Sequence, residues 1–81
     1  MRVTVKLFAA ARELADSSEL ELELAESATV GSLRRALEES QPALAPLLAR
    51  SMIAVNEEYC GEGTGLNEGD VAALIPPVSG G

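Results

Sequence analysis

Histidine and tryptophan are absent from this 81-residue chain, cysteine occurs once, and the only aromatic residues are Phe8 and Tyr59. Without histidine the chain cannot form a Ser-His or Cys-His nucleophilic pair, or a zinc site with imidazole ligands. The single cysteine, Cys60, excludes an internal disulfide and a CxxC pair. Its acidic neighbours oppose a reactive thiolate, so we expect Cys60 to serve in packing.

Positive charge is also scarce, with 6 Lys and Arg residues against 13 Asp and Glu residues and a net charge of −7. This balance opposes binding to nucleic acids and to anionic membranes, and we expect neither as a partner. A basic protein surface would be attracted, although acidic charge also serves solubility. No apolar run is long enough to span a membrane, and residues 1–6 alternate unlike a signal peptide. The sequence therefore predicts a cytoplasmic protein.

The hydrophobic content of 47% and the length predict one small domain with an aliphatic core. Residues 2–8 and 19–24 alternate in polarity, which predicts two strands paired as an antiparallel hairpin. Glutamates occupy every second position of the second strand. We interpret them as the solvated face of an edge strand and predict no metal site.

A helix is predicted from Thr29, which is suited to capping it, to about Ser40 before Pro42. On this helix, Arg34 and Arg35 are expected to pair with Glu38 and Glu39 one turn later. The other predicted elements are a helical connection at 9–15, a short helix or loop at 43–50, strands at 52–55, 59–60 and 71–75, a surface loop at 61–65, and a turn with positive φ at Gly69.

The last strand, residues 71–75, is apolar at every position, so both of its faces should be covered. We expect the helix to cover one face and neighbours or a partner protein to cover the other, with Leu74 and Ile75 as candidate contacts. The sequence does not say which face is which. The expected sheet is mixed, with strands two and five flanking strand one and strand five parallel to it.

We divide the chain into a domain, residues 1–75, and a flexible C-terminal tail, residues 76–81. Pro76 and Pro77 favour an extended backbone at about 3.1 Å per residue, so the tail would reach roughly 18 Å. Gly80 and Gly81 carry no side chain, so the terminal carboxylate can enter a narrow channel. The alternative is an inert, frayed terminus.

The element order β-β-α-β-β with a final Gly-Gly resembles the ubiquitin-like β-grasp fold, an α+β fold with a mixed sheet of four to five strands and one main helix across it. More narrowly, the chain resembles the small, sulfur-carrying subunit of molybdopterin synthase. The segments that carry this resemblance are VKLFA at 5–9, REL at 12–14, VN at 55–56, LNEGDV at 66–71 and, most specifically, IPPVSGG at 75–81.

The resemblance implies that an adenylating enzyme activates the Gly81 carboxylate with ATP and that sulfur then replaces AMP to give a thiocarboxylate. The tail would insert into the large catalytic subunit and donate sulfur to a pyranopterin precursor during molybdenum cofactor biosynthesis. The chain itself would be a non-catalytic, sulfur-donating subunit with no bound cofactor. The residues implied are Pro76, Pro77, Val78, Ser79 and Gly80 for tail insertion, and Phe8, Arg12, Leu74 and Ile75 for partner binding.

Three other functions are consistent with the same residues. The first is a sulfur carrier for thiamine or thionucleoside synthesis. The second is a ubiquitin-like protein modifier, conjugated through Gly81 to lysines of other proteins. The third is an interaction module whose tail is inert.

Overall fold

The computed structural model describes residues 1–77. Along the chain the elements are β1 (Arg2–Lys6), α1 (Ala9–Ala15), β2 (Glu19–Glu23), α2 (Val30–Ser40), a 3₁₀ turn (Pro42–Leu44), α3 (Ala45–Leu48), β3 (Met52–Val55), β4 (Glu58–Tyr59) and β5 (Val71–Ile75). Each predicted element is present, but β1 and β2 end earlier than expected, β4 lies one residue earlier, and the segment predicted at 43–50 divides into the 3₁₀ turn and α3. Within residues 1–77, no helix has the length and apolar character needed to cross a membrane.

The strands form one mixed sheet in the order β2-β1-β5-β3-β4. The central strands β1 and β5 are parallel, and all other neighbours are antiparallel. This confirms that β2 and β5 flank β1 and that the fold is α+β. Since the carboxyl ends of β1 and β5 lie at the same end of the sheet, the residues after both strands emerge together there.

Helix α2 begins where the sequence predicts, at a capping box formed by Thr29 and Ser32. The Thr29 hydroxyl oxygen accepts a hydrogen bond from the Ser32 backbone N–H at 3.3 Å, and the Ser32 hydroxyl oxygen accepts one from the Thr29 N–H at 3.2 Å. Val30, Leu33 and Leu37 recur on one side of the helix and are fully buried. Together these features fix the start and the rotation of α2 on the sheet.

The core lies between α2 and one face of the sheet, and Cys60 packs at its margin as expected. Leu74 belongs to this core and has 0% exposure. This corrects the expectation that Leu74 contacts a partner, because its side chain points towards α2. Since side chains alternate along a strand, Val71, Ala73 and Ile75 lie on the opposite face.

The expected pairing of Arg34 with Glu38 along the helix is wrong, because the Arg34 guanidinium binds Glu62 instead. Its Nε and Nη2 donate to the two carboxylate oxygens of Glu62 at 2.8 and 3.1 Å. Its Nη1 donates to the carbonyls of Leu48 and Ser51. Arg34 is only partly exposed, and it ties the glycine-rich loop and the end of α3 to α2.

Candidate docking face and tail exit

The sheet face opposite α2 carries a band of exposed apolar side chains. Register places Ala73 of β5 between Lys6 of β1 and Ala54 of β3, so these three residues share this face. Exposed large side chains are Phe8 at 48%, Met52 at 55%, Tyr59 at 64% and Val71 at 37%. We define the outer face as Phe8, Met52, Tyr59, Val71, Ala73 and Ile75. A contiguous apolar surface of this kind is typical of a protein-binding site.

Phe8 stands at one side of a groove in this surface. The groove is lined by Lys6, Phe8, Asn56, Glu57, Val71 and Ala73 and has a volume of 560 Å³. The sequence left open whether Phe8 closes the core or faces a partner. The structure places Phe8 at the N-cap of α1 in an extended backbone conformation, with its ring half exposed, so it does not close the core.

The floor of the groove is held by hydrogen bonds between the β3–β4 turn and the start of β5. Asn56 and Val71 exchange backbone and side-chain bonds: the Asn56 N–H donates to the Val71 carbonyl at 2.8 Å, and the Val71 N–H donates to Asn56 Oδ1 at 3.1 Å. Asn56 Nδ2 also donates to Asp70 Oδ1 at 3.0 Å. The other Asp70 oxygen accepts the Asn67 N–H at 2.8 Å. This network fixes the position at which β5 begins.

Backbone conformation explains why asparagine suits this turn. Asn56 and Glu57 have φ values of 50° and 71°, which is typical of a two-residue hairpin turn, and asparagine tolerates positive φ well. Gly69 has a φ of 83°, as the sequence predicts. The segments at 55–56 and 66–71 therefore serve to position β5. This role of Asn56 was not predicted, although an asparagine at a short turn between two strands is a signal for it.

The chain leaves the domain beside the outer face. Ile75, the last residue of β5, pairs with Met52, and Pro76 that follows it is half-buried. Lys6 of β1 pairs with Ala73 of the parallel strand β5, and Phe8 and Ile75 each come two residues later in the chain. Phe8 therefore lies at the same end of this strand pair as Ile75. Val78, Ser79, Gly80 and Gly81 lie outside the described residues. Their predicted insertion and the reactivity of the Gly81 carboxylate stay predictions.

The structure separates the four residues expected to bind a partner. Phe8 and Ile75 lie together on the outer face, whereas Leu74 lies in the core. Arg12 is exposed on α1, in a shallow depression that it shares with Glu13, Asp16, Ser17 and Ser18. It does not line the groove, and its contact with a partner stays a prediction. Over the described part of the chain, no cluster of three or more Cys, Asp and Glu side chains is arranged to hold a metal ion.

The fold defines the chain as a ubiquitin-like β-grasp protein, in which Pro76 and Pro77 directly follow the last strand. SAMP1 of Haloferax volcanii has the same fold, with a TM-score of 0.90 and 32% identity over 100% of both chains. In a protein–protein complex of subunits 1 and 2 of the molybdopterin-converting factor of Helicobacter pylori, one chain matches with a TM-score of 0.72 and 29% identity over 100% of both chains.

A family model described as the ThiS family matches residues 5–81, and the chain belongs to this family. The molybdopterin synthase sulfur carrier subunit of Chlamydomonas reinhardtii is 35% identical over the full length of both chains. The protein of the same name from Mycobacterium tuberculosis is 35% identical over 100% of this chain and 99% of its own.

Proposed function

We propose that the chain is the sulfur-carrier subunit of a molybdopterin synthase and that the carboxyl carbon of Gly81 carries the transferred sulfur. The observation that carries this proposal is the exit of the tail beside an exposed apolar face, since a carrier must dock its body while its terminus reaches a reactive site. The names of the curated relatives, which match over nearly the whole chain, support the choice of pathway.

The proposed chemistry places all catalytic groups on the partners. A carboxylate is a poor electrophile, so an adenylating enzyme first converts Gly81 to an acyl adenylate with ATP, releasing pyrophosphate. The nucleophile is either hydrosulfide or a persulfide, and its attack on the carbonyl carbon breaks the bond to AMP, which leaves. With hydrosulfide this gives the thiocarboxylate directly; with a persulfide a second thiol of the donor then breaks the S–S bond, forms a disulfide and leaves the thiocarboxylate on Gly81. The absence of histidine from the carrier is no obstacle to this role, because the partner enzymes supply the general bases. We place these steps in the cytoplasm, where ATP is supplied.

Docking on the large catalytic subunit has to offset the cost of ordering the tail. Fixing each backbone residue costs roughly 1–2 kcal/mol, so six tail residues would cost on the order of 10 kcal/mol. Burial of the outer face contributes a favourable free energy of about 25 cal/mol per Å² of apolar area, which can compensate for this cost. We therefore propose that Phe8 and Ile75 contact the large subunit while the tail enters its active site.

The test is the mass of the intact protein isolated from its own cells during cofactor synthesis. We expect a fraction whose mass corresponds to one oxygen replaced by one sulfur, located at Gly81 by peptide mapping. A variant with one residue added after Gly81 should lose both this modification and cofactor synthesis while remaining folded. An unmodified terminus in cells that are actively making the cofactor would overturn the proposal.

A second candidate is a protein modifier, which the likeness to SAMP1 of Haloferax volcanii favours. In that case the activated Gly81 carboxyl would form an amide with lysines of other proteins. Gly-Gly remnants on those lysines after proteolysis would identify it. A carrier for thiamine or thionucleoside synthesis would carry the same thiocarboxylate but would be needed for a different product. Deletion of the gene would then abolish synthesis of thiamine or thionucleosides and leave synthesis of the molybdenum cofactor intact.

A further inference from the structure

The turn from β1 into α1 contains a backbone conformation that its residue type disfavours. Ala9, the first residue of α1, has a φ of 47°. We propose that Ala9 is a positioning residue for docking: it takes up the reversal of the chain in a left-handed conformation, and this holds the Phe8 ring on the outer face. The inference rests on the proposed docking of the outer face and concerns what keeps Phe8 in place there.

The other positive φ values outside glycine within residues 1–77 have local explanations. Asn56 and Glu57 form the hairpin turn after β3, and Asp16 ends α1, where a left-handed residue is common. The first residue of a helix normally has a right-handed φ, and alanine has no polar side chain to support the left-handed conformation by a local hydrogen bond. The conformation of Ala9 is therefore strained and must be imposed by its surroundings.

The chain is anchored on both sides of Ala9. Leu7 is buried, and its N–H donates to the Ser18 carbonyl at 2.9 Å. Ala11 is buried as well, and its N–H donates to the Phe8 carbonyl at 3.0 Å. Only residues 8–10 are therefore available for the change of direction from strand to helix.

Phe8 takes no part in this reversal. Its φ of −130° and ψ of 157° continue the strand, so Phe8 and Lys6 lie on the same face and both line the groove. If Ala9 adopted the helical φ of about −63°, the chain would rotate by roughly 110° about the N–Cα bond of Ala9. Since Leu7 and Ala11 are held in the core and Phe8 is half exposed, Phe8 would move and its ring would leave the groove.

The test replaces Ala9 by residues that differ in their tolerance of positive φ. Valine is a rare outlier there, so Ala9→Val should displace the ring. Asparagine tolerates positive φ although its side chain has more non-hydrogen atoms than that of valine, so Ala9→Asn should keep the ring in place. Ala10→Val is the matched control, because Ala10 is exposed like Ala9 but does not have a positive φ.

The position of the ring can be measured without a partner. Phe8 is the only phenylalanine, so labelling with para-fluorophenylalanine gives a single fluorine resonance in the NMR spectrum. Ala9→Val should move this resonance most of the way towards its position in the urea-unfolded chain, whereas Ala9→Asn and Ala10→Val should leave it near the wild-type position. This measurement tests the inference independently of whether the outer face is the docking surface.

The effect on docking is measured by calorimetry with the large synthase subunit of the same organism. Ala9→Val should raise Kd by about tenfold, since a displaced ring loses most of its contact area, and the other two variants should stay within about twofold of the wild type. Ala9→Asn should also raise the midpoint of thermal unfolding, because it relieves strain.

Three results would each overturn the proposal. The first is an unchanged fluorine resonance in a folded Ala9→Val variant, which would limit Ala9 to a structural role in the turn. The second is an equal loss of affinity in Ala9→Asn, which would show that bulk at this position matters and backbone conformation does not. The third is a lower thermal midpoint for Ala9→Asn, which decides against strain at Ala9 even if Ala9→Val fails to fold.

Discussion

Replacement of Phe8 by alanine is the most direct test of the outer face. Complete burial of a phenylalanine side chain removes roughly 150–250 Å² from solvent, and Phe8 is 48% exposed, so about 100 Å² remains available to a partner. At about 25 cal/mol per Å², and allowing for the retained Cβ, Phe8→Ala should weaken docking by about 2 kcal/mol, or roughly 30-fold in Kd. Isothermal titration calorimetry with the large synthase subunit of the same organism measures this change.

Leu14→Ala is the matched control for this substitution. Leu14 is 49% exposed, almost the same fraction as Phe8, but it lies on α1 and does not line the groove. We expect Leu14→Ala to leave the affinity unchanged, and thermal unfolding should show that both variants remain folded. If Phe8→Ala bound as tightly as the wild type, or if Leu14→Ala weakened binding equally, the assignment of the outer face as the docking surface would be refuted.

Three further outcomes are expected. Leu74→Ala should lower stability by about 2–5 kcal/mol because it empties a fully buried core position, whereas Ile75→Ala should cost clearly less; equal shifts in urea unfolding would show that the two faces of β5 are wrongly assigned. Thr29→Ala should destabilise the domain by about 1 kcal/mol through loss of the helix cap, which Thr29→Ser should largely restore in the same assay. Asn56→Gly keeps the positive φ but removes the side-chain bonds to Val71 and Asp70, and should cost roughly 1–3 kcal/mol; an unchanged melting midpoint would contradict the role given to this network.

Local pattern was sufficient to place most of the elements. Helix α2 was predicted from its cap and its apolar repeat because both signals lie within one stretch of chain. Strand β5 was predicted with its observed bounds because five apolar residues stand between a turn and two prolines. The end of β1 was less exact, since the alternation continues to Phe8 although the strand pairing ends at Lys6.

The partner of Arg34 shows where local reasoning fails. Spacing along the helix favours Glu38, but the fold brings Glu62, 28 residues away, to the same guanidinium. There it also donates to the carbonyls of Leu48 and Ser51 near the end of α3, and a bidentate pair with added hydrogen bonds outweighs an exposed pair along one helix. Nothing in the sequence near Arg34 reports this proximity.

What the sequence by itself determined was the class of fold and the bounds of the last strand before Pro76 and Pro77, because these depend on periodicity and proline within short segments. What only the tertiary structure decided was the direction of each side chain on β5. Leu74 and Ile75 are equally apolar, and alternation alone assigns them to opposite faces without saying which face meets α2. The register with β1 and β3 settles it: Leu74 lies in the core, while Ile75 joins Phe8 and Met52 on the outer face from which the tail departs.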